Sequence, residues 1–293
     1  MAQNRWHTWM LAIRPKTLPA VVGPVLVGWG VAWHDHVFRL GPALAALAGG
    51  LLLQIGANLA NDVADFHRGA DTAERLGPVR VTQAGLLSPQ EVTRGMWLSF
   101  GLAALIGVYL IAVAGWPVVL IGLTAILAAI GYTGGPLPYG YYGLGDLFVF
   151  VYFGLAAVVG TYFVQARATS PVAWWAAIPM GLLTVAILVV NNLRDIPTDR
   201  KAGKQTLAVR FGARGARLEY DLCLGGAYGV VALAVLLGVF PPGAMLAWLS
   251  LPWAWQARRI VQTQTGRRLN QALAQTGLLV LRFGVLLALG MAL

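Results

Sequence analysis

The sequence is poor in charged residues. Only 11% of its 293 residues are charged and 58% are hydrophobic, whereas an ordinary soluble domain has about 25% charged residues. A soluble domain of this length could not cover its surface with so few charges. The composition therefore excludes the ordinary soluble, disordered and fibrous classes, and it predicts an integral membrane protein.

Cysteine is nearly absent. The single cysteine, Cys223, lies in an apolar run, so an internal disulfide and a cysteine-based metal cluster are both excluded. Basic residues precede the first apolar stretch, as they do in a signal peptide. No small-residue cleavage pattern follows near residues 31–36, and we therefore expect an uncleaved first helix.

Long apolar runs are what the chain has in abundance. A helix that crosses a bilayer needs about 20 mostly apolar residues, and the runs here are continuous, which is typical of buried helices and not of alternating strands. We predict an all-α membrane protein, a single domain over residues 1–293 with about nine transmembrane helices. The nine runs are 17–33, 40–60, 96–114, 116–132, 145–164, 172–192, 222–240, 243–257 and 276–293.

The basic residues lie mostly on one side of these predicted helices. Of the 21 Lys and Arg residues, 18 fall on the side of the N-terminus, Arg39 and Arg167 fall on the other side, and Arg282 lies inside the last helix. Positive charge collects on the cytoplasmic side of membrane proteins, so we expect the N-terminus and the long loops in the cytoplasm. Membrane topology accounts for the net charge of +10, and no nucleic-acid partner is expected.

The first of two acidic segments covers residues 54–71. Gln54, Asn58, Asp62 and Asp65 have spacings that place them on one face of a helix, and the two amides would face the interior of the bundle. The two carboxylates would repel each other unless a cation lay between them. Carboxylates are suited to Mg²⁺ that keeps some of its waters and bridges to a substrate phosphate.

The second acidic segment covers residues 191–210. Asn191, Asp195 and Asp199 repeat the spacing of the first segment, although Pro197 disfavours a regular helix there. Basic residues precede and follow these acids, which is typical of a site for metal and diphosphate. Either segment alone could be a solvated helix end; two of them, each following buried amides, favour a reaction centre.

The motifs in these segments resemble those of a known family. NDVAD at 61–65 and DIPTD at 195–199 resemble the two aspartate-rich motifs of the UbiA superfamily of intramembrane prenyltransferases. Gly69 stands where the first motif usually has its third acid, and Asp71 is the next acid, a departure shared with the branch that prenylates 1,4-dihydroxy-2-naphthoate in menaquinone synthesis. Further similar stretches are RPKTLPA at 14–20, ERLGPVRVTQAGLLSP at 74–89, YTGGPLPYGYYGLGD at 132–146 and NNLRDIPTDRKAGKQTLAVRFG at 191–212.

The resemblance implies a helical bundle in the cell (inner) membrane, with a central cavity capped by cytoplasmic loops. It implies transfer of a polyprenyl group from its diphosphate to an aromatic acid, with Mg²⁺ as cofactor and with loss of CO₂ and diphosphate. Four acids of the motifs would be catalytic: Asp62, Asp65, Asp195 and Asp199. The residues that would hold Mg²⁺ are Asn58, Asp62, Asp65, Asp71, Asp195 and Asp199. The substrate-binding candidates are Gln54, Asn58, Arg80, Tyr132, Tyr139, Asn191, Asn192, Arg200 and Lys204.

The chemistry also requires protection of an allyl cation, which water would trap. Tyr132, Tyr139, Tyr141 and Tyr142 could supply aromatic faces toward such a cation, or they could belong to the aromatic belt at the membrane interface. His67 lies beside the first motif, and we expect it to be solvated or paired and not catalytic.

Two alternatives stay open at this point. One keeps the fold and changes the acceptor, for example to 4-hydroxybenzoate. The other is a secondary transporter, a class that places ionisable residues near the middle of the bilayer, often in broken helices. The acids here gather at predicted cytoplasmic helix ends, which disfavours transport.

Overall fold

The computed structural model describes residues 5–69 and 75–293, which form ten α-helices, four short 3-10 helices and no strand. The helices are α1 Arg5–Ile13, α2 Pro19–His34, α3 Leu40–His67, α4 Pro89–Ala114, α5 Pro117–Gly131, α6 Gly145–Ala166, α7 Pro171–Lys201, α8 Leu207–Leu236, α9 Leu251–Thr263 and α10 Leu269–Ala292. The predicted all-α fold is confirmed.

The nine predicted membrane spans are not all confirmed. Within the described ranges, α3, α4, α6, α7, α8 and α10 are long and apolar enough to cross a membrane, and α1 with α2 forms a seventh candidate span bent by 51°. Helix α5 is apolar but has only 15 residues. The eighth predicted run, 243–257, is divided between a 3-10 helix at Pro242–Ser250 and α9, where the prolines of this region remove backbone donors.

Helix α7 continues across Pro197, a residue that disfavours a regular helix. It runs for 31 residues from Pro171 to Lys201 and contains Pro179 and Pro197 in its interior. The lost backbone bonds are tolerated in a helix that neighbouring helices support on several sides. As a result, the whole second acidic segment up to Lys201 lies on one helix, and its i, i+4 positions share a face.

Helices α2 and α10 pack closely because small residues lie where they meet. A methyl group added at Gly284 would lie 2.8 Å from the Cα atom of Gly23, and one added at Gly30 would lie 2.6 Å from the Cα atom of Ala288. A large buried cluster joins α2 and α10 with α6, α7 and α8, and a smaller cluster joins α1, α3 and α4. The acidic segment of α3 thus belongs to one cluster and that of α7 to the other.

Candidate active site

A polar cavity lies at the end of the bundle where α3 and α7 end. It contains about 680 Å³ of space free of protein atoms, part of it open to solvent. Both acidic segments reach it, together with the α3–α4 loop (residues 75–88) and the α5–α6 loop (residues 132–144). The lining residues are Asn61, Asp65, Arg75, Arg80, Tyr132, Thr133, Gly140, Tyr141, Asn191, Asn192, Asp195, Thr198, Asp199, Lys204 and Thr206.

Among the described acids of the first segment, Asp65 faces the cavity. Its Oδ2 atom accepts a hydrogen bond from Arg80 at 2.9 Å, and its Oδ1 atom lies 3.4 Å from both the Lys204 ammonium and the Tyr141 hydroxyl. Four segments of the chain therefore meet at this carboxylate: α3, the α3–α4 loop, the residues that follow α5 and the residues that follow α7.

Lys204 joins the two acidic segments. Its Nζ atom lies 3.4 Å from Asp65 and 3.9 Å from Oδ1 of Asp199. Helix α7 ends in a turn in which Gly203 has a φ of 74°, a left-handed conformation that favours glycine. The Lys204 amide then bonds back to the Asp199 carbonyl at 2.9 Å, and this places the side chain at the cavity.

Asp195 also lines the cavity, and an arginine holds it from behind. Nε of Arg194 donates to Oδ1 of Asp195 at 2.8 Å and Nη2 donates to Oδ2 at 2.5 Å. Asn191 and Asn192, two of the predicted substrate-binding residues, also line the cavity. A carboxylate has about four lone-pair directions, so this pairing leaves others on Asp195 for a ligand.

Asp62 does not line the cavity. It is 1% exposed, and its two oxygens accept hydrogen bonds of 3.2 Å from the backbone N–H groups of Val81 and Thr82, with Arg14 at 3.7 Å. The prediction placed Asp62 beside Asp65 as a ligand. The structure instead uses its carboxylate to fasten the α3–α4 loop onto α3.

Gln54 and Asn58 also point away from the cavity. Asn58 donates to the Ile13 carbonyl and to the Thr17 hydroxyl, both at 2.9 Å, and Gln54 donates to the same hydroxyl at 3.3 Å. Both amides bond to the break between α1 and α2, whose backbone and hydroxyl groups need partners in the apolar interior. The structure therefore does not bring these two predicted residues to the cavity.

Other predicted residues lie outside the cavity wall. Arg200, Tyr142 and His67 are exposed, as expected for His67. Tyr139 stacks on Phe148 with ring centroids 3.9 Å apart and donates its hydroxyl to a backbone carbonyl of α5. Asp71 lies outside the described residues.

The cavity wall also includes residues that were not expected there from the sequence. Asn61 stands one turn before Asp65 on α3, and its Oδ1 atom accepts a hydrogen bond of 3.0 Å from the Thr133 hydroxyl. Its i, i+4 spacing with Asp65 was a signal for it, whereas Thr133 and Thr198 carried no comparable signal. Arg194 does not line the cavity; it is the basic residue that precedes Asp195, and its contact with that carboxylate carried no signal in the sequence.

Two tyrosines bring aromatic faces to the polar wall. Burial raises the pKa of Tyr132, and it also raises the pKa of Tyr141, which is less deeply buried. Nearby acids raise both pKa values further. Both phenols therefore stay neutral at physiological pH. The Tyr141 ring already contacts cations, with the Lys204 ammonium 4.7 Å and the Arg68 guanidinium 5.4 Å from its centroid.

The side-chain oxygens at the cavity fit a metal ion that also binds a substrate phosphate. They fit less well a site in which the protein supplies every ligand. In the described part of the chain, no three acidic, histidine or cysteine side chains converge on one point. Mg²⁺ typically takes one or two carboxylates and completes its shell with water and phosphate. Asp65, Asp195 and Asp199, with the amides nearby, fit that requirement.

Comparison with known proteins identifies the family. The model of the UbiA prenyltransferase family matches residues 21–289. The chain belongs to the UbiA prenyltransferase family. The predicted resemblance is confirmed, and with its apolar helices this UbiA family member is an integral membrane protein.

Two bacterial relatives are similar over most of their length. The 1,4-dihydroxy-2-naphthoate octaprenyltransferase of Mycobacterium tuberculosis is 40% identical over 281 residues, which cover 96% of this chain and 95% of the relative. The protein of the same name from Escherichia coli is 40% identical over 254 residues, 85% of this chain and 82% of the relative.

A solved structure shares the fold of this UbiA family member. A UbiA homolog from Archaeoglobus fulgidus, bound to GPP and Mg²⁺, superposes with a TM-score of 0.72 at 15% identity, covering 97% of this chain and 99% of the other. At this identity the comparison bears on the fold alone.

Proposed function

We propose that this UbiA family member transfers a polyprenyl group from polyprenyl diphosphate to 1,4-dihydroxy-2-naphthoate, releasing diphosphate and CO₂ in a step of menaquinone synthesis. The names of the two bacterial relatives support this acceptor. The observation that carries the proposal is the position of Lys204, within 4 Å of an acid from each segment. One cavity therefore receives both acidic segments, which would hold Mg²⁺, and the Lys204 ammonium, which would bind the diphosphate.

The acids of the cavity would hold Mg²⁺. Asp65 from α3 and Asp195 and Asp199 from α7 are the carboxylates in its wall. When bound, Mg²⁺ neutralises charge on the diphosphate and promotes its departure. Asp62 and Asn58 are not included, because their side chains bond to the chain elsewhere.

Two basic residues are placed to bind the diphosphate. Lys204 and Arg80 line the cavity, and both contact Asp65, so a phosphate that entered would find cations already oriented by a carboxylate. Preorganised charges of this kind are worth about 10²–10³ in rate each.

The neutral phenol rings of Tyr132 and Tyr141 would stabilise the allyl cation. A cation over an aromatic face gains about 0.5–2 kcal/mol, with the higher value where water is excluded. Tyr141 already accepts two protein cations on its ring. The α3–α4 loop would limit the entry of water, since Asp62 fastens it over the end of α3.

We also propose that residues 1–293 form one domain in the cell membrane, with the cavity open to the cytoplasm. The relative from Mycobacterium tuberculosis matches along 95% of its length, which supports a single unit. The excess of basic residues on the predicted cytoplasmic side supports the orientation, and it leaves no need for a nucleic-acid partner.

A product assay with a matched pair of variants tests the proposal. Membranes containing the protein, supplied with 1,4-dihydroxy-2-naphthoate, a polyprenyl diphosphate and Mg²⁺, should form a prenylated naphthoquinol. Asp65→Asn should lower the rate at least 100-fold. The control is Asp35→Asn, because Asp35 accepts a hydrogen bond from Tyr162 outside the cavity; its rate should stay within twofold of wild type.

An acceptor panel separates this proposal from its alternatives. If product forms from 4-hydroxybenzoate and not from the naphthoate, the proposed acceptor is wrong and the proposed mechanism stands. Substrate-driven uptake into proteoliposomes without any prenylated product would favour a transporter.

A further inference from the structure

Arg194 is buried behind the cavity wall, next to Asp195, with 1% of its surface exposed. Its guanidinium contacts more than the Asp195 carboxylate described above. Nη2 also donates to Oδ1 of Asn191 at 2.7 Å, and Nη1 donates to Oδ1 of Asn270 at 2.8 Å. Consecutive helix residues do not normally face each other, so the bidentate contact between Arg194 and Asp195 requires the arginine to fold back along α7.

Asn270 continues this set of contacts into the α3–α4 loop. It lies near the start of α10 and donates from Nδ2 to the Leu76 carbonyl at 2.9 Å. The same amide group therefore accepts from Arg194 and donates to the loop. Helix α7, helix α10 and the loop that supplies Arg75 and Arg80 to the cavity are joined through two side chains.

The loop backbone lies directly on the guanidinium. A methyl group added at Gly77 would be 2.8 Å from Nη2 and 3.1 Å from the central carbon of Arg194. A side chain at the end of a flexible stem could move away, but four hydrogen bonds hold Arg194 in place. Any residue larger than glycine would displace either the loop or the guanidinium.

A buried charge pair of this kind is expensive to desolvate and is weak evidence for stability alone. We propose that Arg194 and Asn270 are positioning residues: Arg194 aims the Asp195 carboxylate at the cavity, and Asn270 holds the α3–α4 loop beside it. This inference rests on the proposed function for its ligand, a metal with diphosphate. Groups that orient metal ligands commonly alter metal affinity 10- to 100-fold when they are changed.

The contact between Asn270 and the loop is tested by chemical labelling. Val81 is fully buried, so a cysteine placed there by Val81→Cys, in a chain with Cys223→Ala, would react with a maleimide only when the loop opens. Asn270→Asp keeps an acceptor for Arg194 but cannot donate to Leu76. It should label about fivefold faster, the effect of losing one hydrogen bond. Gln271→Ala, a change at an exposed neighbour on α10, should label at the wild-type rate.

The contact between Arg194 and Asp195 is tested by metal binding, measured as bound Mn²⁺ in the presence of inorganic diphosphate. Arg194→Lys removes the bidentate geometry and should weaken Mn²⁺ binding about tenfold. Asn270→Ala should raise the Mg²⁺ concentration for half-maximal activity about fivefold and change kcat less than twofold. A merely structural role would instead reduce the amount of active enzyme at an unchanged Mg²⁺ requirement.

The outcomes separate this inference from the proposed function. Wild-type labelling of Asn270→Asp would overturn the role of Asn270, and wild-type Mn²⁺ binding by Arg194→Lys would overturn that of Arg194. If Arg194→Lys does not fold, the Mg²⁺ concentration that Asn270→Ala needs for half-maximal activity decides whether these residues affect metal binding. Intact Mn²⁺ binding without prenylated product would overturn the proposed function and leave the positioning roles standing.

Discussion

Asp62 and Asp65 stand three residues apart on α3, and their replacement by asparagine should have different effects. In Asp62→Asn the single oxygen can accept from only one of the Val81 and Thr82 N–H groups, and the new amide faces the other. A buried N–H without an acceptor costs about 1–3 kcal/mol, and the weakened contact with Arg14 adds about 1 kcal/mol. The attachment of the α3–α4 loop should therefore weaken by about 2–4 kcal/mol.

This loss corresponds to roughly 30- to 700-fold in the opening equilibrium, since about 1.4 kcal/mol is tenfold. The labelling rate of a cysteine at Val81, whose own N–H bonds to Asp62, measures that opening directly. Asp65→Asn is the matched comparison, because Asp65 contacts the described part of the loop through the Arg80 side chain, and the asparagine oxygen can still accept that hydrogen bond. It should label within about threefold of wild type but bind Mn²⁺ with diphosphate at least tenfold more weakly.

The opposite pattern would refute this account of Asp62. If Asp62→Asn labels at the wild-type rate and loses as much Mn²⁺ affinity as Asp65→Asn, then Asp62 is a metal ligand and its bonds to the loop are incidental. The same pair of measurements therefore decides between the role expected from the motif and the role that the contacts favour.

Three further changes have defined outcomes. Lys204→Gln should lower the rate about 10²–10³-fold, because it removes a cation placed for diphosphate, and the steady-state prenylation rate measures this. Burial raises the pKa of Tyr132, so the phenol stays neutral above its ordinary pKa of about 10; Tyr132→Phe should keep the wild-type pH–rate profile up to pH 10, whereas Tyr132→Ala should lose at least tenfold in rate. Gly284→Ala should destabilise the fold by about 1–3 kcal/mol because of its contact with Gly23, whereas Gly225→Ala, with nothing within 4 Å, should not, as measured by thermal unfolding in detergent.

The positions of the apolar helices could be predicted from the sequence, because a bilayer demands uninterrupted apolar runs. Their ends could not. Helix α3 continues to His67 and α7 to Lys201, well beyond the predicted runs, since polar residues continue a helix as readily as apolar ones outside the hydrocarbon. Pro197 was expected to disturb α7 and does not, because the surrounding helices support its backbone.

The two acidic segments could also be predicted, but the residues that face the cavity could not all be assigned. Asp62 and Asp65 look alike in the sequence, and only the fold of residues 75–88 over α3 separates their roles. Asn58 and Asn61 each lie one turn before an aspartate, but Asn61 lines the cavity and Asn58 does not. Arg194 could not be recognised as a partner of Asp195 from spacing, because its orientation depends on Asn270 and Leu76, distant in the chain.

The most direct test of the central claim is the formation of product by wild-type membranes supplied with 1,4-dihydroxy-2-naphthoate, polyprenyl diphosphate and Mg²⁺. We predict a prenylated naphthoquinol, with CO₂ and diphosphate released in equal amounts, and its loss in Asp65→Asn and Asp195→Asn. Absence of that product in wild type, or product undiminished in both variants, would contradict the account.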